Sequence, residues 1–138
     1  MNTPIIVQEL ERRLFPQLNR MKEQIVQEFP DVKVNIWSHS IGLKTNHQGH
    51  GISIECFIPN VMQGQMDSVS LAIDFQHLTT LPELVSADVC WGNGYIEAEL
   101  INEPIELDEA VYESLDEGLQ GLFNDLRLAI ERGFPLED

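Results

Sequence analysis

Residues 68–78, SVSLAIDFQHL, alternate strictly. Val69, Leu71, Ile73, Phe75 and His77 fall on one side of an extended chain, and Ser70, Ala72, Asp74 and Gln76 on the other. This stretch constrains the fold more than any other. A period of two belongs to a β-strand, and one greasy side opposed to one polar side belongs to a sheet covered on a single face. The theme recurs in GISIECFIP, where Ile52, Ile54, Cys56 and Ile58 oppose Ser53, Glu55 and Phe57, and in residues 32–37, where Val32, Val34 and Ile36 alternate with Lys33, Asn35 and Trp37. Two more strands are read in VSADVCWGNGYIEAELI. Val85, Ala87, Val89 and Trp91 point inward on the first, and Ile96, Ala98 and Leu100 on the second. Asn93-Gly94 between them is a strong hairpin signal.

Such a sheet needs a cover, and the two ends of the chain supply it. Near the N-terminus Ile6, Leu10, Leu14, Leu18, Met21, Ile25 and Phe29 recur every three or four residues, after Thr3 and Pro4, which suit a helix start. Pro16 lies inside this pattern and predicts a kink or a split. Near the C-terminus Val111, Leu115, Leu119, Leu122, Leu126 and Ile130 form a second stripe, with Asp108 as N-cap and Gly133 and Pro135 as terminators. The order is helix, three strands, a short TTLPEL connector, two strands, helix. It predicts an α+β two-layer sandwich: an antiparallel sheet of about five strands with the N- and C-terminal helices packed on one face. At 138 residues, without repeats or linkers, residues 1–138 read as a single domain.

Charge then narrows the classes of function. The net charge is −15 and it is unevenly spread. Residues 1–50 carry five acids and six bases, residues 51–102 seven acids and no base, and residues 103–138 eleven acids and two bases. A surface of this kind repels phosphate backbones and anionic lipid, which disfavours nucleic acid and membranes as partners. It attracts a basic protein and steers the encounter. The N-terminus has no basic leader followed by an apolar core, and no apolar run reaches the ~20 residues that span a bilayer, so a cytoplasmic location is expected. Cys56 and Cys90 form no C-x-x-C pair. A single disulfide is open to them, but two reduced, partly buried thiols are the expectation.

If the strand registers hold, the open face of the sheet carries Trp37, Phe57 and Tyr95 among Glu55, Asp74, Asp88, Glu97 and Glu99. Aromatic anchors amid carboxylates, with no lysine or arginine between Lys44 and Arg127, suit recognition of a basic partner. The expected function is therefore a non-catalytic acidic protein-binding domain, adaptor-, chaperone- or immunity-like, that uses this face. A homodimer is possible, though the acidic part would oppose its own copy. The element order resembles that of type III secretion chaperones, which are small, acidic, dimeric binding proteins, with their second helix reduced here to TTLPEL. Small acidic immunity proteins are a comparably loose likeness. No catalytic motif is present: there is no nucleophile elbow, phosphate loop or dinucleotide fingerprint.

The alternative is a small metal- or haem-binding protein, or an enzyme, built on His39, His47 and His50. Zinc needs three or four converging ligands, and KTNHQGHGIS brings His47 and His50 close in sequence. The glycines and asparagine there favour a turn between the first two strands, with the histidines exposed at its tip. Neither H-E-x-x-H nor a haem attachment motif occurs. No cofactor is therefore expected under the first reading, and a transition metal or haem under the second. A third reading is a small-molecule site near Trp91 and His77.

Overall fold

The computed structural model describes residues 5–42, 48–61 and 66–133. In chain order the elements are α1 (Ile5–Glu28), β1 (Lys33–Gly42), β2 (Gln48–Phe57), β3 (Ser68–Gln76), β4 (Glu83–Trp91), β5 (Ile96–Ile101), β6 (Ile105–Glu106) and α2 (Glu109–Arg132). The strands form one antiparallel sheet in the order β1-β2-β3-β4-β5, and the short β6 pairs with the first residues of β4. Both helices cover the same face, α1 over β1 and β2, α2 over β3 to β5. This is the α+β sandwich that the alternation predicts.

Five antiparallel strands return the chain to the end from which it started, so the two helices run in the same direction. Arg13 of α1 meets Asp116 of α2 at 2.7 Å, and further along Glu28 meets Arg127 at 2.6 Å. Gln17 also donates to Asp116 at 2.9 Å, and the Arg13 guanidinium lies 4.4 Å from the centre of the Tyr112 ring. Between helices and sheet lies the core. Leu10, Leu14, Leu18 and Ile25 of α1 and Leu115, Leu119 and Leu126 of α2 close over Ile52, Ile54, Leu71, Ile73, Phe75 and Trp91. Burial of these side chains, at roughly 25 cal/mol per Å² of apolar surface, drives the assembly.

The expected caps are in place. The Asp108 carboxylate accepts from the Val111 amide at 2.9 Å, and Gly133, at φ 79°, donates its amide to the Ala129 carbonyl at 2.8 Å. In the β4–β5 hairpin Gly94 takes φ 90°, and the Asn93 side chain accepts from the Tyr95 amide at 3.0 Å. Of the kink or split expected at Pro16, the split does not occur; the helix runs unbroken from Ile5 to Glu28. Pro16 and Arg12 are both exposed, so the Arg12 carbonyl that loses its donor is turned to water.

Three extra residues alter the expected registers. In β4, Asp74 faces Ser86 but Phe75 faces Leu84, which leaves Val85 as a bulge. Leu84, not Val85, therefore turns toward the helices and is 2% exposed. In β5, Ala87 faces Ile101 and Asp88 faces Glu99, so Leu100 is extra; Val89 faces Ala98 and Cys90 faces Ile96, so Glu97 is extra. Ala98 and Ile101 pack against the core, while Ile96 and Leu100 remain 53% and 42% exposed. Leu100 lies across Gly118 of α2, where a β-carbon would strike it.

Candidate binding face of the sheet

The register places the open-face side chains in rows that run across the strands. One row is Trp37, Ser53, Ala72, Asp88 and Glu99, from β1 to β5. On one side of it lie Asn35, Glu55, Ser70, Cys90 and Ile96, followed by Lys33, Phe57 and Ser68. On the other side lie His39, Gly51, Asp74 and Ser86, followed by Ile41, Gly49, Gln76, Glu83 and Glu106. The floor of the face is thus made of small residues, and carboxylates stand around it. Among the described residues lysine enters this face only at the Lys33 corner.

Hydrogen bonds hold several of these groups. The Trp37 indole donates to Glu55 at 3.0 Å, diagonally across β1 and β2. Ser86 donates to Asp74 at 3.3 Å, and Gln76 to Glu83 at 2.6 Å. Gly51 leaves Asp74 room to spread, since a β-carbon there would lie 3.1 Å from its carboxylate. Partial burial pushes the Asp74 carboxyl above the ordinary 3.8, offset in part by the Ser86 hydrogen bond. Asp88 is pushed in the same direction, first by burial and then by the neighbouring charge of Asp74. Both groups therefore oppose folding when ionised: the cost is absent below about pH 3.8 and fully present above their raised values. Asp88→Asn is expected to raise the melting temperature at roughly pH 7 and to lose that advantage by roughly pH 3, as read by thermal denaturation at the two pH values.

Of the expected site residues, Trp37, Glu55, Phe57, Asp74, Asp88 and Glu99 share this face. Glu97 and Tyr95 do not join it. The bulge at Glu97 swings its carboxylate to the helix side, where Arg132 at the end of α2 binds it. Tyr95 sits opposite Trp91, whose amide donates to the Tyr95 carbonyl at 2.7 Å, and so follows the helix-side register at the hairpin tip. Ile96 takes the open-face place that an unbroken alternation gives to Tyr95. No pattern in YIEAELI marks either extra residue. The small floor residues Gly51, Ser53, Ser70 and Ala72, by contrast, follow directly from alternation.

The histidines divide. His39 projects from the open face beside Gly51, whereas His50 shares the helix side with Ile52 and Ile54 and is 8% exposed. His39 and His50 lie on opposite faces, so these two members of the expected His39, His47 and His50 set do not converge on one ion; His47 lies outside the described residues. The expectation that His50 is exposed at a loop tip is likewise corrected, because β2 already begins at Gln48. The His50 ring is 2.7 Å from the Ser38 hydroxyl. Burial lowers its pKa from the usual 6.5, so its contribution to stability is complete above that value and is lost as pH falls below it. Among the described residues no three histidine, cysteine or acidic side chains are grouped to hold a metal.

Cys56 is buried on the helix side and its thiol is pushed up to about 12, chiefly by burial, which leaves it chemically inert. Cys90 lies on the open face, 3.6 Å from the Ser70 hydroxyl, and burial raises its pKa too. The two thiols are free and on opposite faces. Trp91 and His77 belong to opposite ends of the sheet, Trp91 facing Val69 and His77 following Gln76, so no small-molecule site joins them. At His77 the backbone turns, with φ 55°, and its ring is 3.5 Å from Glu83 rather than in the core register.

No protein-family model, curated protein or solved structure matches the chain. Among the described residues no helix is long and apolar enough to cross a membrane.

Proposed function

We propose that the chain is a non-catalytic protein-binding domain, adaptor-, chaperone- or immunity-like, whose open sheet face recognises a basic partner. The observation that carries this reading is the composition of that face. Glu55, Asp74, Glu83, Asp88, Glu99 and Glu106 surround a floor of small residues, Trp37 and Phe57 stand at one side, and Lys33 lies at a corner. The small floor lets partner side chains approach the backbone, and the rings offer apolar anchors.

The electrostatics explain why a cation gains by docking here. Asp74 and Asp88 stand in partly dehydrated surroundings with no cation bonded to either carboxylate among the described residues. An arginine or lysine placed between them relieves the cost of their ionisation, and the carboxylates become easier to ionise. Reduced thiols at Cys56 and Cys90 accord with a cytoplasmic setting.

A photo-crosslinking residue at Ala72, in the middle of the face, tests the reading. It is expected to trap a basic protein from native extract at low salt and to lose it at high salt. The same residue at Arg20, on the exposed side of α1, is expected to trap none of it. Equal capture from both positions contradicts the assignment of this face.

A further inference from the structure

The two edges of the sheet are unlike. The β5–β6 edge is broken by two register shifts and by Pro104, and carries Glu97, Glu99, Glu103 and Glu106. Those are the features by which a strand edge is kept from pairing with another chain. The β1 edge has none of them. It pairs with β2 over ten consecutive residues, Lys33 to Gly42, without a shift. It contains no proline and no acid, and its one lysine stands at its first position. Its outer backbone groups face away from the sheet, with no strand beyond it among the described residues.

Charge separates the edges in the same way. Residues 1–50 hold five acids and six bases in a chain of net −15, so β1 and α1 form the side on which a second copy meets little repulsion. Apolar surface lies there too. Arg13, Gln17 and Glu28 turn one flank of α1 to α2. At 100° per residue the opposite flank, on the β1 side, presents Phe15 and Val26 with Glu11 and Lys22 among them, and Phe29 follows the last residue of the helix. Val26 is 44% exposed, Phe15 and Phe29 are partly buried, and Ile36 is partly buried on the neighbouring edge strand.

We infer that β1 is a self-association edge, and that two copies join antiparallel through it to make one continuous sheet with the α1 flanks in apposition. Side chains that face each other must lie on the same side of a sheet, so the two-fold axis falls on a residue near the middle of the strand, Trp37 or Ser38, rather than between residues. Either choice keeps the two Lys33 side chains on the order of 30 Å apart, well beyond the screening length. The acidic open faces then lie side by side on one surface and are not buried against each other. This inference is independent of the basic partner: it holds or fails whether or not the open face binds one.

Light scattering coupled to gel filtration tests it. The full chain at roughly 100 µM is expected to run at twice its 15.7 kDa mass, and to stay so at high salt, because backbone pairing and apolar contact hold it. Ile36→Lys and, separately, Val26→Lys are expected to weaken dimerisation about 100-fold. Ile105→Lys, on the opposite edge, is expected to leave the dimer intact. Circular dichroism and a cooperative melt confirm folding, and Val26→Lys, on the outside of a helix, decides the matter if Ile36→Lys does not fold. A monomer at that concentration, a dimer that survives in Val26→Lys, or one dissolved by Ile105→Lys alone overturns the inference.

Discussion

Ile54→Ala is expected to cost about 3 kcal/mol of stability, and Ser53→Ala, one residue earlier, less than about 0.5 kcal/mol. Ile54 is completely buried beneath the helices, where loss of its side chain leaves a cavity that a packed core cannot fill. Ser53 lies on the open face between Trp37 and Ala72, where its hydroxyl meets solvent. Since small domains are held by only about 5–15 kcal/mol, the first substitution alone removes a large share of the total. Chemical denaturation of the two variants measures the contrast. A comparable loss at both positions means that the strand is buried on both faces.

The largest functional effect is expected from the combination Glu55→Lys, Asp88→Lys and Glu99→Lys. These residues lie on neighbouring rows of the open face, on β2, β4 and β5. Reversing them places cations where the partner is proposed to bring its own, so affinity for the captured basic protein is expected to fall more than about 100-fold, mainly through like-charge repulsion. The dependence of the remaining affinity on salt is expected to flatten. Folding should survive, because none of the three is in the core and a lysine at position 88 stands diagonally across from the Asp74 carboxylate. Calorimetric titration against the captured protein checks both effects. Reversal at Glu97 alone is expected to act differently: it removes the bond to Arg132 and perturbs the end of α2 rather than the binding face.

Much of this arrangement is legible in the bare sequence. In β2 and β3 the alternation is unbroken, and Ile52, Ile54, Leu71, Ile73 and Phe75 all lie inward as it requires. The stripes of α1 and α2 and the caps at Asp108 and Gly133 are equally plain. Legibility ends at β4 and β5. A bulge inserts one residue without changing the character of the sequence around it, so VSADV and YIEAELI each read as continuous strands. One extra residue reverses the facing of what precedes it, and this moves Glu97 to the helix side and Ile96 to the open one. The histidines illustrate a second limit. His47 and His50 are close in sequence and His39 is near both, but which face a histidine occupies depends on where the β1–β2 connection begins. Proximity along the chain says nothing about that, and His39 and His50 end on opposite faces.

Two alanines provide the most direct test of the one-sided acidic sheet. Ala72 lies on the open face between Ser53 and Asp88, and Ala87, on the adjacent strand, is fully buried beneath the helices. Methyl NMR of alanine-labelled protein in the presence of soluble paramagnetic complexes, one neutral and one cationic, reports on both at once. The account predicts that the Ala72 methyl relaxes several-fold faster than that of Ala87, and that the cationic complex enlarges the difference because the carboxylates concentrate it there. Equal relaxation of the two methyls, or no preference for the cationic complex at Ala72, would contradict it.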